Sequence, residues 1–148
     1  MPETIPESAS PQEVVFKTAY GFLGRHLSLN DNIPPEVGCA QALSFVLKFC
    51  GYPIPEGGIS TVSGLTEWML NHDFTPAASY QKGAIITGRD GAEAHIGICG
   101  KDWIMSNTSY TDASKELVRG AWQANFQPKN WLKVYPHTRY FLPPEVVS

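Results

Sequence analysis

The hydrophobic pattern of this chain changes its period once. Up to about His72 the apolar residues recur at helical spacing, and from Gly83 onward they alternate in the manner of strands. A helical stripe buries one side of a cylinder and an alternating run buries one face of a sheet, so each half must cover the other. Helices first and a mostly antiparallel sheet afterwards specify an α+β fold. With 148 residues and no internal repeat, a single domain spanning 1–148 is expected.

The elements follow from local signals. Residues 1–10, rich in Pro, Glu and Ser, read as an extended lead-in. Ser10-Pro11 reads as an N-cap with proline at the first helical position, opening a helix to about His26. Pro34-Pro35 makes 30–38 a loop. A second helix is expected over 39–49, with Ala42, Leu43, Val46, Leu47 and Cys50 as its apolar stripe and Gly51 closing it. Ser63 is expected to cap a third helix that ends before Pro76. Strands are expected over 83–87, 94–99, 103–107 and 138–142, with a weaker strand signal over 131–135 and a short helix within 114–125. Asp90-Gly91 reads as the turn joining the first two strands.

Composition narrows the functional classes. A net charge of −3, with no basic run interleaved with aromatics, speaks against nucleic-acid binding. No stretch nears the roughly 18 apolar residues of a membrane span. The N-terminus lacks the basic and apolar regions of a signal peptide, so synthesis as a cytoplasmic protein is expected. Three cysteines, odd in number and irregular in spacing, form no disulfide framework. Metal-ligand spacings and phosphate-binding glycine loops are absent; Gly57-Gly58 lacks a strand–loop–helix setting, and His95 and Cys99 would lie about 13 Å apart along a strand. No cofactor and no metal is expected. His26, His72 and His137 read as peripheral.

Three residues remain that together can do chemistry. Cys39 opens the second helix, where unsatisfied backbone N–H groups and the helix dipole favour a thiolate, and Gly38 leaves one flank of the sulfur open. His95, Gly97 and Cys99 share one face of their strand; Trp103, Met105 and Asn107 share one face of the next. If 100–102 is a three-residue loop, Cys99 pairs with Trp103 and His95 stands opposite Asn107, with Cβ atoms about 5 Å apart. Cys39 is then the nucleophile, His95 the base and later the acid, and Asn107 the residue that orients the imidazole. Gly97 offers a shallow point where the Cys39 helix can approach. Each residue also has a plain reading of its own. Cys39 could be a small buried side chain, His95 a half-buried strand histidine, and Asn107 a turn-former. Cys50 reads as core; Cys99, on the face of His95, is the second candidate thiol. Trp68, Trp103, Tyr110 and Trp122 read either as core or as the lining of a cleft.

The stretch from Gly38 to Asn107 resembles the NlpC-type papain-like cell-wall peptidases. The resemblance is carried by Cys39 at a helix start, Gly83-Ala84-Ile85-Ile86, His95-Ile96-Gly97-Ile98 and a polar residue twelve positions after the histidine. Thr138-Arg139-Tyr140-Phe141-Leu142 is similar to the closing strand of that family. The resemblance implies a papain-like core, with the nucleophile's helix packed on the sheet that carries the other two residues. It also implies hydrolysis of an amide bond in peptidoglycan stem peptides. Many members have Asp before the cysteine and Ser-Gly after it, residues that help hold the substrate's amine. Here Gly38 precedes and Ala40-Gln41 follow, which leaves the bond that is cut open. The Gly-Cys pair also resembles CHAP-type amidases.

The expected function is therefore a cysteine peptidase or amidase acting on peptidoglycan or a peptide, without nucleic acid or membrane as partner. Such a protein reaches the wall by release or delivery, as a phage lysin or a delivered toxin does. Two alternatives stand beside it: a catalytically inactive binding or scaffold protein of the same fold, and an amidohydrolase acting on protein glutamine side chains.

Overall fold

The computed structural model describes residues 9–30, 32, 38–91, 93–111 and 117–146. The fold is α+β. Among the described residues, α1 (Pro11–Gly21), α2 (Cys39–Phe49) and α3 (Val62–Asn71) precede β1 (Thr75–Ala77), β2 (Ile85–Asp90), β3 (Glu93–Cys99), β4 (Ile104–Thr111) and β5 (Leu117–Phe126). A short α4 (Pro128–Val134) and β6 (His137–Leu142) close the chain. The lead-in at 1–8 and Pro34-Pro35 lie outside the described residues.

α1 begins as predicted: Pro11 occupies the first turn and the Ser10 hydroxyl accepts the N–H of Glu13 at 3.2 Å. It stops at Gly21, short of His26, because the next residues are used to reach β5. Gly24 N–H donates to Trp122 O at 2.7 Å, and Trp122 N–H donates to Arg25 O at 2.8 Å. His26, exposed, bridges to Ala121 and is tied to Gly120 O through Nδ1 at 3.1 Å, so it anchors this segment to β5.

α2 has its predicted bounds. α3 starts earlier than expected, since Thr61 is the cap and accepts the N–H of Gly64 at 3.0 Å. Ser63 instead accepts a hydrogen bond from Arg89 Nη2 at 2.8 Å.

The largest corrections follow residue 111. The expected helix within 114–125 is, from Leu117, the strand β5; residues 114–116 lie outside the description. Trp122 and Ala124 alternate there, and pairing along β4 supplies the backbone partners that a lone short helix would lack. The weak strand expected over 131–135 is instead α4 through Val134, opened by Pro128, whose fixed φ suits a first turn. The strand β1 was not expected.

All strand pairs are antiparallel, in the order β1-β6-β2-β3-β4-β5. The sheet is covered on both faces. On one, Val15, Leu43, Leu47 and Leu65 from α1–α3 pack on Ile85, Ile96, Ile98, Met105 and Phe141. On the other, Trp131 of α4 packs on Ala84, Ile86, Cys99 and Ile104. Cys39, at the start of α2, is therefore held against the middle strands. Among the described residues no helix is long and apolar enough to cross a membrane.

Candidate active site

The β3–β4 hairpin sets the geometry. Its turn is Lys101-Asp102, closed by Gly100 N–H donating to Trp103 O at 3.0 Å. A side chain on Gly100 would place its Cβ 2.3 Å from that oxygen, so the tight turn depends on glycine. Trp103 thereby takes a turn position, with 44% of its surface exposed, and Cys99 pairs with Ile104.

This register differs by one residue from the expected one, which reverses the face of every β4 side chain relative to β3. Gly97 pairs with Ser106, so Ser106, not Asn107, shares the face of His95. Asn107 falls on the other face, buried, opposite Trp122 of β5. The assignment of Asn107 as the partner of His95 is thus corrected. Gly97 has a different reason as well: a Cβ there would meet Met105 O at 2.6 Å, so the glycine admits β4 and not the Cys39 helix.

The imidazole is held by a relay. His95 Nε2 lies 2.9 Å from Ser106 Oγ, and Ser106 Oγ donates to Asn125 Oδ1 at 2.7 Å. A serine hydroxyl has one proton, and here it goes to Asn125. The oxygen can then only accept from His95, so Nε2 carries the hydrogen and Nδ1 keeps the basic lone pair.

Asn125 reaches this position through a bulge. Ile104 pairs with Phe126 and Met105 with Ala124, which leaves Asn125 as the extra residue of β5. Bulges re-aim a side chain out of the strand's alternation.

The back of the imidazole is aromatic. The ring centroids of Trp131, Phe126 and Tyr135 lie 5.4, 6.0 and 6.1 Å from that of His95. The strand across from His95 carries Gly88 at the paired position. A Cβ on Gly88 would come within 2.6 Å of Tyr135 and 2.8 Å of Trp131 Nε1, so this glycine lets α4 settle against the histidine. Burial in this box lowers the His95 pKa to about 4, so the ring is neutral at pH 7.

Cys39 meets the same strand from the other side. Gly97–Ser106 is the last pair in the β3–β4 register, and the backbone of Ile96, one residue beyond it, hydrogen-bonds the Cys39 thiol. The bond lowers the thiol pKa, as do those from the backbone of Ala40 and of Cys39 itself, so each is an N–H donated to sulfur. Burial outweighs them and raises the thiol above its ordinary value. The Tyr135 phenol is raised first by burial, then by the nearness of Cys39 and of Glu93. The bond from Ile96 thus sets Cys39 beside the stretch of β3 that carries His95.

The helix start is held by Gln41, fully buried. Its Oε1 accepts Leu29 N–H at 3.0 Å, and its Nε2 donates to Gly57 O and Ser60 Oγ, both at 2.9 Å. One side chain therefore ties two loops to the first turn of α2. Gly58 has φ +73°, and a Cβ there would meet the Gln41 amide at 2.9 Å.

The other thiols sit elsewhere. Cys99 does share the His95 face, but it has no exposed surface, and burial raises its pKa to about 12. Cys50 is raised by burial to about 11, with a partly offsetting bond from Thr18. Trp122 is core, its Nε1 donating to Ala19 O at 3.0 Å, and Trp68 is nearly buried. The side chain of Tyr110 lies outside the description.

Sequence reasoning missed Ser106, Asn125, Trp131 and Tyr135. Ser106 was one register step away; Asn125 was hidden by the bulge and by the helical reading of its segment. Compared with known proteins, the chain matches no family model and no curated protein sequence.

Proposed function

We propose that this protein is a cysteine-dependent amide hydrolase with a papain-like core, acting on the stem peptides of peptidoglycan. The observation that carries the reading is the junction at His95-Ile96. The amide of Ile96 reaches the Cys39 sulfur, while the neighbouring imidazole is fixed by Ser106 and Asn125 with Nδ1 as its base.

In the proposed reaction His95 Nδ1 takes the Cys39 proton as sulfur attacks the amide carbonyl. The carbonyl π pair becomes the oxyanion, for which the Cys39 N–H is one donor. Collapse of the intermediate expels the amine, which takes its proton from His95 and leaves a thioester. Water, deprotonated by His95, then releases the acid and restores the thiol. Ser106 and Asn125 keep the Nε2–H tautomer through both halves, the role first assigned to Asn107. The resemblance to NlpC-type peptidases supplies the substrate class; the residue chemistry supplies only the amide.

The test is mass spectrometry of purified peptidoglycan incubated with the wild type and with Cys39→Ala. Fragments from amide cleavage by the wild type alone are expected, and they identify the bond. Intact wall in both digests, with both proteins folded, overturns the wall-hydrolase reading.

One observation favours the rival, a non-catalytic protein of the same fold. Burial raises the Cys39 thiol and lowers the His95 imidazole, so the free protein holds a neutral pair and no preformed thiolate. A thiol that stays inert to alkylation at every pH below unfolding would favour that rival.

A further inference from the structure

A pocket of about 360 Å³ opens between α3 and the β2–β6 pair, on the same sheet face as α2. That volume is at the small end of the range for ligand sites. Its floor includes Thr87 and Gly88, whose cross-strand partners are Ile96 and His95. The pocket thus lies level with the candidate site, displaced sideways along the sheet. From the β3–β4 gap to the β2–β6 gap is two strand spacings, roughly 10 Å, or about three residues of extended peptide.

The lining is charged in one sense. Arg89 of β2 and Arg139 of β6 both enter it, against the single carboxylate of Glu67 on α3. Neither guanidinium is neutralised by the contact that holds it. Arg89 donates to the Ser63 hydroxyl at 2.8 Å, and Arg139 lies over the Phe141 ring at 4.8 Å. Val62 and Ser63, the first turn of α3, line the same space, so the positive end of that helix dipole adds to the two arginines. Guanidinium forks with this freedom match a carboxylate.

We propose that this pocket binds a carboxylate, and that the substrate is a peptide bearing one about three residues from the amide cut at Cys39. The second half rests on the proposed hydrolase function; the first stands without it.

The experiment uses Cys39→Ala, so binding is read without turnover. Three acetylated tetra-alanine probes are titrated by calorimetry: the free acid, the C-terminal amide, and an amide with one glutamate replacing alanine. The free acid or the glutamate peptide is expected to bind at least about tenfold more tightly than the neutral amide, the size of a charge-assisted pair. Whichever of the two binds identifies the source of the carboxylate. Arg89→Gln and Arg139→Gln, both exposed positions, should each reduce that preference, with folding checked by circular dichroism. Equal binding of all three probes, no binding of any, or a preference that survives both arginine changes overturns the proposal. A failed peptidoglycan digest alongside a retained carboxylate preference overturns the hydrolase reading and leaves the pocket standing.

Discussion

His95 Nε2 sits 2.9 Å from the hydroxyl of Ser106, diagonally across the open end of the β3–β4 hairpin. The contact matters because the hydroxyl's own proton is committed to Asn125. For the proposed hydrolysis, Ser106→Ala should therefore lower kcat by roughly 10²-fold, the lower end of what a positioned acid–base group contributes, with KM little changed. A readout independent of turnover is the nitrogen chemical shift of His95, which should report the Nε2–H tautomer in the wild type and a mixture in the variant. An unchanged tautomer in Ser106→Ala would show that the Ser106 hydroxyl does not fix the imidazole.

Gly88 stands across from His95 and under α4. Gly88→Ala forces a Cβ into Tyr135 and Trp131 Nε1, contacts that neither the strand nor the indole can relieve without moving α4. A loss of about 1–3 kcal/mol is expected from such overpacking, measured by urea unfolding, together with altered near-ultraviolet circular dichroism from the displaced aromatics. Gly91→Ala is the contrasting change: its φ of +59° strains a side chain, but nothing lies within 4 Å of the new Cβ. It should therefore leave the aromatic signal in place.

The helical half of the molecule was legible because its signals are local. The Ser10-Pro11 start and the whole of α2 were readable from caps, stripe and breakers. What failed depended on partners distant in sequence. His26 belongs to the bridge with β5, so no local pattern could end α1 at Gly21. Alternation located β3, yet the face of its neighbour hung on whether the turn held two residues or three. Gly100 decided that by admitting the Trp103 carbonyl. Asn125 was beyond any periodic reading, since a bulge takes it out of the period. Cys39 and His95 were therefore readable as candidates from sequence, and Ser106 and Asn125, which hold the imidazole, were not.

Gln41 fills the position two residues after Cys39 and links the loops at 28–30 and 57–60. Gln41→Ala leaves Leu29 N–H and Gly57 O without this partner in a half-buried place, at a cost of about 1–3 kcal/mol. The stability loss should be accompanied by faster proteolysis in 28–30 and 57–60, read by mass spectrometry of limited digests. Cleavage confined to other segments would argue against the staple.

Stability should depend on pH through His95. Its folded pKa, about 4, lies below the unfolded value of 6.5, so between these the unfolded chain binds the proton and the folded one does not. Stability then rises with pH across that window: the contribution is present above about 6.5 and lost as pH falls toward 4. The shift amounts to at most about 3 kcal/mol, measured as a falling urea midpoint. His95→Gln should flatten that part of the profile, and an equal slope in wild type and variant would show that the histidine is not the cause.

The reactivity of Cys39 tests whether the proposed hydrolase would act by general-base catalysis or from a preformed ion pair. Burial raises its thiol above the ordinary value of 9.0, and His95 is neutral above about pH 4, so at pH 7 the free protein holds thiol and imidazole, not thiolate and imidazolium. Alkylation by iodoacetamide should consequently be slower at pH 7 than for a free cysteine, and should climb as pH passes 9, because the thiolate is the attacking form. Above that value the unfolded chain also loses its thiol proton before the folded one, so stability falls as reactivity rises. Rates are therefore taken where circular dichroism reports native protein. A rate that is already high and flat from pH 5 to 8 would mean that the three amides at the sulfur outweigh burial, and the His95 proton would then start on the imidazole.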